Sequence, residues 1–303
     1  MLIIIGYIIT IFCVLGGYAF SGGYLSALVA PYELMIIGGA ALGSFIVSNN
    51  MRVIKASIRA VLSIFRGSSY SDKFYVELLS MFFELTNKIR KDGVLSIESD
   101  IDNYKESTLF SSYKLVQKEP LVMEFICDHL RLIVTGRVNA THLELLMDQD
   151  IETLESEYEL PISAITKMAD GMPAFGIVAA VMGVVMTMGK IGGPPEELGA
   201  SVGHALVGTF LGILLGYCFI APIASVLENR LRATITIFQS VKVALLASVH
   251  SMAPSIAVEF ARKVLYSAER PTSHELEQIL KDVKANKAQA GTDEQEQNAT
   301  EKV

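Results

Sequence analysis

The sequence predicts an all-α polytopic membrane protein, with four transmembrane helices in two hairpins and a helical cytoplasmic domain between them. Three observations predict it. Hydrophobic residues make up 51% of the 303 and charged residues only 19%, and the mean hydropathy of +0.43 exceeds what a soluble core requires. Four apolar windows, Leu2 to Phe20, Leu34 to Ser48, Met172 to Gly189 and Val202 to Val226, approach the ~20 residues that cross a hydrocarbon layer about 30 Å thick. Between the second and third lies a long insert of mixed charge whose apolar residues recur at helical spacing.

The first hairpin is expected over residues 1–50. Its opening segment, Met1 to Phe20, lacks a basic leader and an A-x-A cleavage site, so it reads as a retained span rather than a removed signal. The connector Ser21 to Glu33 carries one acid and no base. After the second span come Arg52, Lys55, Arg59 and Arg66, with no acid until Asp72. The positive-inside rule therefore puts the connector outside the cell and both termini in the cytoplasm. A cytoplasmic helical domain is expected over 51–171, where Phe74, Leu78, Met81, Leu85 and Ile89 line one helical face. Asp92-Gly93 breaks that helix and Ser96, before Ile97 and Glu98, starts another, so Arg90 and Glu98 flank one turn. Pro120 and Pro161 are expected to mark further boundaries. The second hairpin, 172–227, is joined by Lys190 to Ser201, which holds Pro194, Pro195, Glu196 and Glu197. Arg230, Arg232 and Lys242 follow it and give the same orientation. Cytoplasmic helices are expected over 228–284, and a polar tail over 285–303 with too little apolar content to offset ordering entropy.

Within the third span, Gly176, Ala180, Gly183 and Thr187 fall at steps of four, three and four, on one helical stripe. In the fourth, Ala205, Thr209, Gly212 and Gly216 repeat those steps, and Gly208, Gly212 and Gly216 form overlapping GxxxG patterns. Two readings are open: the stripes pack ordinary helices, or they face a central helix supplied by another chain. An absence bears on the choice, because no span carries Asp, Glu, Lys or Arg in its apolar interior. Proton relays and ion pumps need such a group in the membrane. If this chain conducts ions, a partner helix must bring the carboxylate, with Thr187 and Thr209 offering hydroxyls beside it. His204, near the outer end of the fourth span, reads as interfacial rather than as a relay. Pro173 and Pro222, at the cytoplasmic ends of the third and fourth spans, read equally as hinges or as fixed kinks. Asp170 reads as solvated.

Other classes find no support. The net charge of −7 gives no basic surface for nucleic acid. Cys13, Cys127 and Cys218 are scattered and read as packing residues, and His129, His142, His250 and His274 have no ligand spacing, so no metal or cofactor is expected. HExxH and GxGxxG are absent. The stretch Gly183 to Lys190 fails as a phosphate loop, being one residue too long and followed by Ile191. No enzyme is expected.

The runs ADGMPAFGIVAAVMGVVMTMG (169–189), GTFLGILLGYCFIAP (208–222) and RKDGVLSIESDI (90–101), together with the order of hairpins and insert, resemble the MotA family of flagellar motor stator subunits. The resemblance covers essentially the whole chain. It implies an inner-membrane, fivefold homopentamer ring among membrane lipids, closed around two single-span MotB chains. Their aspartate carries the ion and their periplasmic domain grips peptidoglycan. It also implies that Thr209 lies near that aspartate, that Pro173 and Pro222 couple ion passage to movement, and that Arg90 and Glu98 meet charged residues of the rotor protein FliG. Sodium-type relatives carry a threonine where this chain has Ala180, which implies proton coupling, since a methyl cannot replace a sodium ion's hydration. An ExbB or TolQ type energiser shares the ring logic but has three spans, and a passive scaffold or transporter would not depend on Arg90, Glu98 or Pro173 for motility.

Overall fold

A computed structural model describes residues 2–64, 70–189, 191–192 and 194–285. The helices run α1 (Leu2–Phe20), α2 (Pro31–Ser48), α3 (Met51–Ile64), α4 (Asp72–Asp92), α5 (Glu98–Asp102), α6 (Thr108–Ser111), α7 (Lys114–Gln117), α8 (Pro120–Val134), α9 (Ala140–Met188), α10 (Pro195–Ile213), α11 (Ala221–Val249) and α12 (Pro254–Val264). A last helix covers 273–285. The chain divides into two compact units, one of Met1–Gly67 with Ser156–Leu231, the other of Ser68–Glu155 with Arg232–Val303.

In the first unit, four helical stretches among the described residues are long and apolar enough to cross a membrane. Two begin earlier than the hydropathy windows. A 3-10 turn, Leu25–Leu28, leads into α2, which starts at Pro31, and α10 starts at Pro195, so the second hairpin's loop is shorter than expected. Proline suits a first helical position, where its missing N–H has no partner to lose. Glu196 and Glu197 then fill the first turn of α10, where carboxylates suit the positive end of the helix dipole.

Pro161 corrects an expectation, because α9 passes through both Pro161 and Pro173 without ending. A proline in a helix forfeits one backbone hydrogen bond and crowds the carbonyl four residues before it, but Pro161 is buried and its neighbours continue the helix on both sides. The unit holding the spans also takes in 51–64 and 156–171. Its reason is packing: Ile64 of α3 and Ile165 of α9 bury against Ala224 and Leu227 of α11.

The second unit is built on α4. Phe74, Leu78, Met81 and Leu85 are fully buried, as their spacing predicts, and Ile89 lies at the edge. They pack with Phe82, Phe110, Met123 and Ile126, and with Val241 and Leu245 from the end of α11. Pro120 does open a helix, at the first position of α8. The tail expected over 285–303 lies outside the described residues except for Ala285, which closes the last helix.

Candidate functional site

The two small-residue stripes meet each other. A methyl built on Gly176 would lie 2.8 Å from the Gly208 carbonyl oxygen, and one on Gly212 would lie 2.6 Å from the carbonyl of Met172 and 2.8 Å from the α-carbon of Gly176. Gly183 faces Ala205 in the same way, at 2.8 Å. At Gly176 and Gly212 the helices come close enough to a carbonyl of the opposite helix for Cα–H···O contacts, which recur where backbones touch. For the glycines, then, the ordinary-packing reading holds, and they do not face a foreign helix. The spacing reading also missed Ala179, which is buried against Gly208. The contact line runs Gly176, Ala179, Gly183 against Ala205, Gly208, Gly212.

Ala180 and Thr209 sit at the margin of this line, both half-buried. The Thr209 α-carbon lies 3.3 Å from the methyl position of Gly176, and the Ala180 nitrogen 3.3 Å from that of Gly208. Thr187 is different: it is buried, and its hydroxyl donates to the Gly183 carbonyl at 2.8 Å. No hydrogen bond is made by the Thr209 hydroxyl among the described residues. His204 and Asp170 are exposed.

Both prolines adjoin departures from plain helix. Pro173 cannot donate to the Ala169 carbonyl one turn back, and that oxygen faces Gly216 instead, 2.6 Å from where a methyl would sit; the Pro173 ring is 3.2 Å from the same point. Gly216 lies in a π-helical segment, Leu214–Ile220, placed immediately before α11 and Pro222. Its wider turns relieve the crowding a proline imposes on the preceding carbonyls. Tyr7 of α1 secures this segment by donating its hydroxyl to the Phe219 carbonyl at 2.8 Å and stacking on the Phe219 ring at 5.2 Å. Nothing in the spacing of the sequence signals the π segment or the Tyr7 tie.

In the second unit the charged turn forms as the sequence predicts. Gly93 ends α4 at φ 85°, where a side chain would be strained, and its N–H donates to the Ile89 carbonyl at 3.0 Å. A 3-10 turn, Val94–Ile97, follows and α5 starts at Glu98. Ile97 and Ile101 drop into the core while Arg90, Lys91, Asp92 and Glu98 stay exposed. Neither Arg90 nor Glu98 makes an ion pair among the described residues. Between them Leu95 is 70% exposed, an apolar tip on a charged turn. Sequence reasoning also missed the clamp beneath. Asp100 is buried, bound by the Lys88 ammonium at 2.6 Å and the Ser107 hydroxyl at 2.7 Å; Ser107 also caps α6 through the Phe110 N–H. The clamp ties the end of α4 to α5 and α6, so the turn is held at both ends.

Buried chemistry elsewhere in this unit is structural. Tyr113 donates to the Glu84 carboxylate at 2.8 Å, and burial first, then the Glu84 charge, holds its phenol far above the usual value. Burial likewise pushes the Cys127 thiol up to about 12, which leaves it unreactive at neutral pH.

Comparison with known proteins places these features. A family model for the N-terminal part of motility protein A matches residues 4–93, and one for the MotA/TolQ/ExbB proton channel family matches residues 117–240. Motility protein A of Salmonella typhimurium is 48% identical over 294 residues, covering 97% of this chain and 100% of its own length, and that of Escherichia coli K12 matches to the same extent. Chemotaxis protein LafT of Vibrio parahaemolyticus is 34% identical, covering 91% of this chain and 97% of its own. The MotAB structure from C. jejuni shares the fold with a TM-score of 0.75 at 19% identity, over 88% of this chain and 95% of that one. The flagellar MotAB stator complex from Bacillus subtilis gives 0.73 at 21%, over 88% and 96%. The membrane unit, with four spanning stretches closed by a glycine seam, is that of a channel subunit of the MotA/TolQ/ExbB class. Within that class the chain belongs to the motility protein A family, the stator subunits of bacterial motility.

Proposed function

We propose that this chain is the ring-forming half of a proton-driven flagellar stator in the bacterial inner membrane. In this reading five copies surround two MotB chains, each of which supplies an aspartate to the ion path. One observation carries the proposal: the spans hold no carboxylate in their apolar interior, yet Thr209 keeps a half-buried hydroxyl without an acceptor among the described residues, beside Ala180. A threonine in a helix ordinarily satisfies itself on the preceding turn, as Thr187 does at 2.8 Å. A hydroxyl left over in a membrane helix is suited to bind a group from another chain.

Ala180 offers only a methyl at this place, which suits a proton passing through carboxylate and water better than a sodium ion that needs oxygen ligands. Pro173 and Pro222 are the coupling residues: they border the π segment, where a change in carboxylate charge has a helix of low register strength to move. The exposed turn bearing Arg90 and Glu98 is the surface offered to the rotor protein FliG, with steering by charge. Both termini are cytoplasmic.

Ion choice is tested by tracking swimming cells. Speed should persist in sodium-free medium and collapse on adding a protonophore, and the reverse pattern overturns proton coupling. Co-purification tests the partnership, with a single-span, peptidoglycan-binding chain expected to be retained and a lone homo-oligomer contradicting it.

A further inference from the structure

α3 is not used by the ion path or by the charged turn, and its surface is unusual. Viewed down its axis at 3.6 residues per turn, Met51, Ile58 and Leu62 fall within about 40° of one another, and Lys55, Arg59 and Arg52 fill roughly the next 60°. The apolar three are exposed by 63%, 55% and 59%. The basic three are exposed and make no ion pair among the described residues. The opposite face, Val53, Ser57 and Ile64, is buried, with Ile64 packed on Ile165, Ala224 and Leu227. So the helix is anchored on one side and presents two adjoining stripes, one greasy and one cationic, on the other.

Both of its ends are fixed. The Asn50 side chain accepts the Val53 N–H at 2.9 Å, and the Asn49 side chain donates to the Phe45 carbonyl at 2.7 Å, closing the end of α2. At the far end Arg230 donates to the carbonyls of Ser63 and Ile64, at 2.9 and 3.0 Å. Only Asn49 and Asn50 separate α3 from the membrane-spanning α2, so it starts within about 11 Å of the span's end. No acidic residue occurs between Glu33 and Asp72.

We propose that α3 is an interfacial helix that binds anionic phospholipid headgroups of the leaflet in which α2 ends. Met51, Ile58 and Leu62 enter the headgroup and acyl boundary, while Arg52, Lys55 and Arg59 hold the phosphates. A water-facing helix would not expose three large apolar residues in one stripe, and the unbroken positive charge selects anionic over zwitterionic lipid. The proposal concerns α3 alone and does not depend on the ion or the rotor.

The test uses the full chain with its co-purifying partner in mild detergent, offered phosphatidylglycerol or phosphatidylcholine, with retained lipid counted by native mass spectrometry. Phosphatidylglycerol should be retained preferentially. The triple variant Arg52→Gln, Lys55→Gln, Arg59→Gln should weaken its binding on the order of a hundredfold, as three basic groups at a charged leaflet supply. The variant Lys105→Gln, Lys114→Gln, Lys118→Gln removes the same charge from exposed sites of the other unit and should leave binding unchanged. An unaltered melting temperature confirms that the triple variant folds, and the charge-keeping variant Arg52→Lys, Lys55→Arg, Arg59→Lys should retain the lipid. Equal retention of both lipids, or an equal loss in the control variant, overturns the proposal.

Discussion

The first unit is held together by its smallest residues and the second by its largest. In the membrane unit, α9 and α10 touch backbone to backbone through Gly176, Gly208 and Gly212, while Ile177, Val181, Met182 and Val185 face outward. In the other unit Phe74, Phe82 and Phe110 are fully buried. The difference follows from the solvent. Lipid tails are as apolar as leucine, so burying a large side chain against another helix gains nothing over lipid, and close approach supplies the attraction. In water the burial of large apolar surface is the dominant favourable contribution.

The contrast can be broken from either side, and the largest effect is expected in the aqueous core. Phe82→Ala should cost about 4 kcal/mol, seen as a lower melting temperature of the purified chain and less protein in cells. Next comes the seam, where the same logic runs in reverse. Gly212→Val adds volume at a point 2.6 Å from a carbonyl and should cost about 3 kcal/mol, with loss of motility. Gly203→Val, where nothing lies within 4 Å, should change the chain's stability by no more than ~1 kcal/mol, read as a nearly unshifted melting temperature. If both valines were equally tolerated, the glycines would not be packing residues.

A smaller effect, about 2 kcal/mol, is expected for Asp100→Asn, which removes the charge that faces Lys88 and leaves one acceptor oxygen where Lys88 and Ser107 now use two. Swimming should fall with Arg90 and Glu98 untouched, and a variant that swims normally would remove the clamp from the account. Smallest is the pH effect at α12. There Arg262, which is buried, donates to both carboxylate oxygens of Glu259 at 2.6 and 2.8 Å, and this bond holds the carboxyl below its usual range. A folded pKa below the unfolded one gives stability that is present above the ordinary glutamate value near ~4.3 and is lost as pH falls through the folded value. Glu259 is 36% exposed, so solvent screening keeps the effect small. A pH series of melting temperatures should show Glu259→Gln slightly below the parent at neutral pH, with the difference closing as pH falls through the folded value, so that the acid limb flattens.

What the sequence made legible followed the same division. Residues whose placement depends on periodicity could be read: the face Phe74, Leu78, Met81 and Leu85, the Gly93 stop and the exposure of Arg90 and Glu98. So could the existence of four spans, since hydropathy alone carries that signal. Partner choice was not legible. A stripe such as Gly176, Ala180, Gly183 and Thr187 has the same spacing whether it meets its own hairpin or another chain, and the neighbouring Ala179 took the packed position. Pro161 misled because a helix boundary and a tolerated internal proline look alike in sequence. The Asp100 clamp and the Tyr7 tie join residues 12 and 212 positions apart, separations at which no local pattern repeats. The π segment depends on hydrogen-bond register, which residue identity does not encode.

The central claim is that the glycine seam closes within one chain and leaves Thr209 turned toward another. Thr209→Cys, paired with a cysteine at the carboxylate position of the co-purifying single-span partner and oxidised in membranes, tests it most directly. A disulfide between this chain and that partner is the predicted product. A disulfide formed only between two copies of this chain, or none in a complex that still assembles, would contradict it.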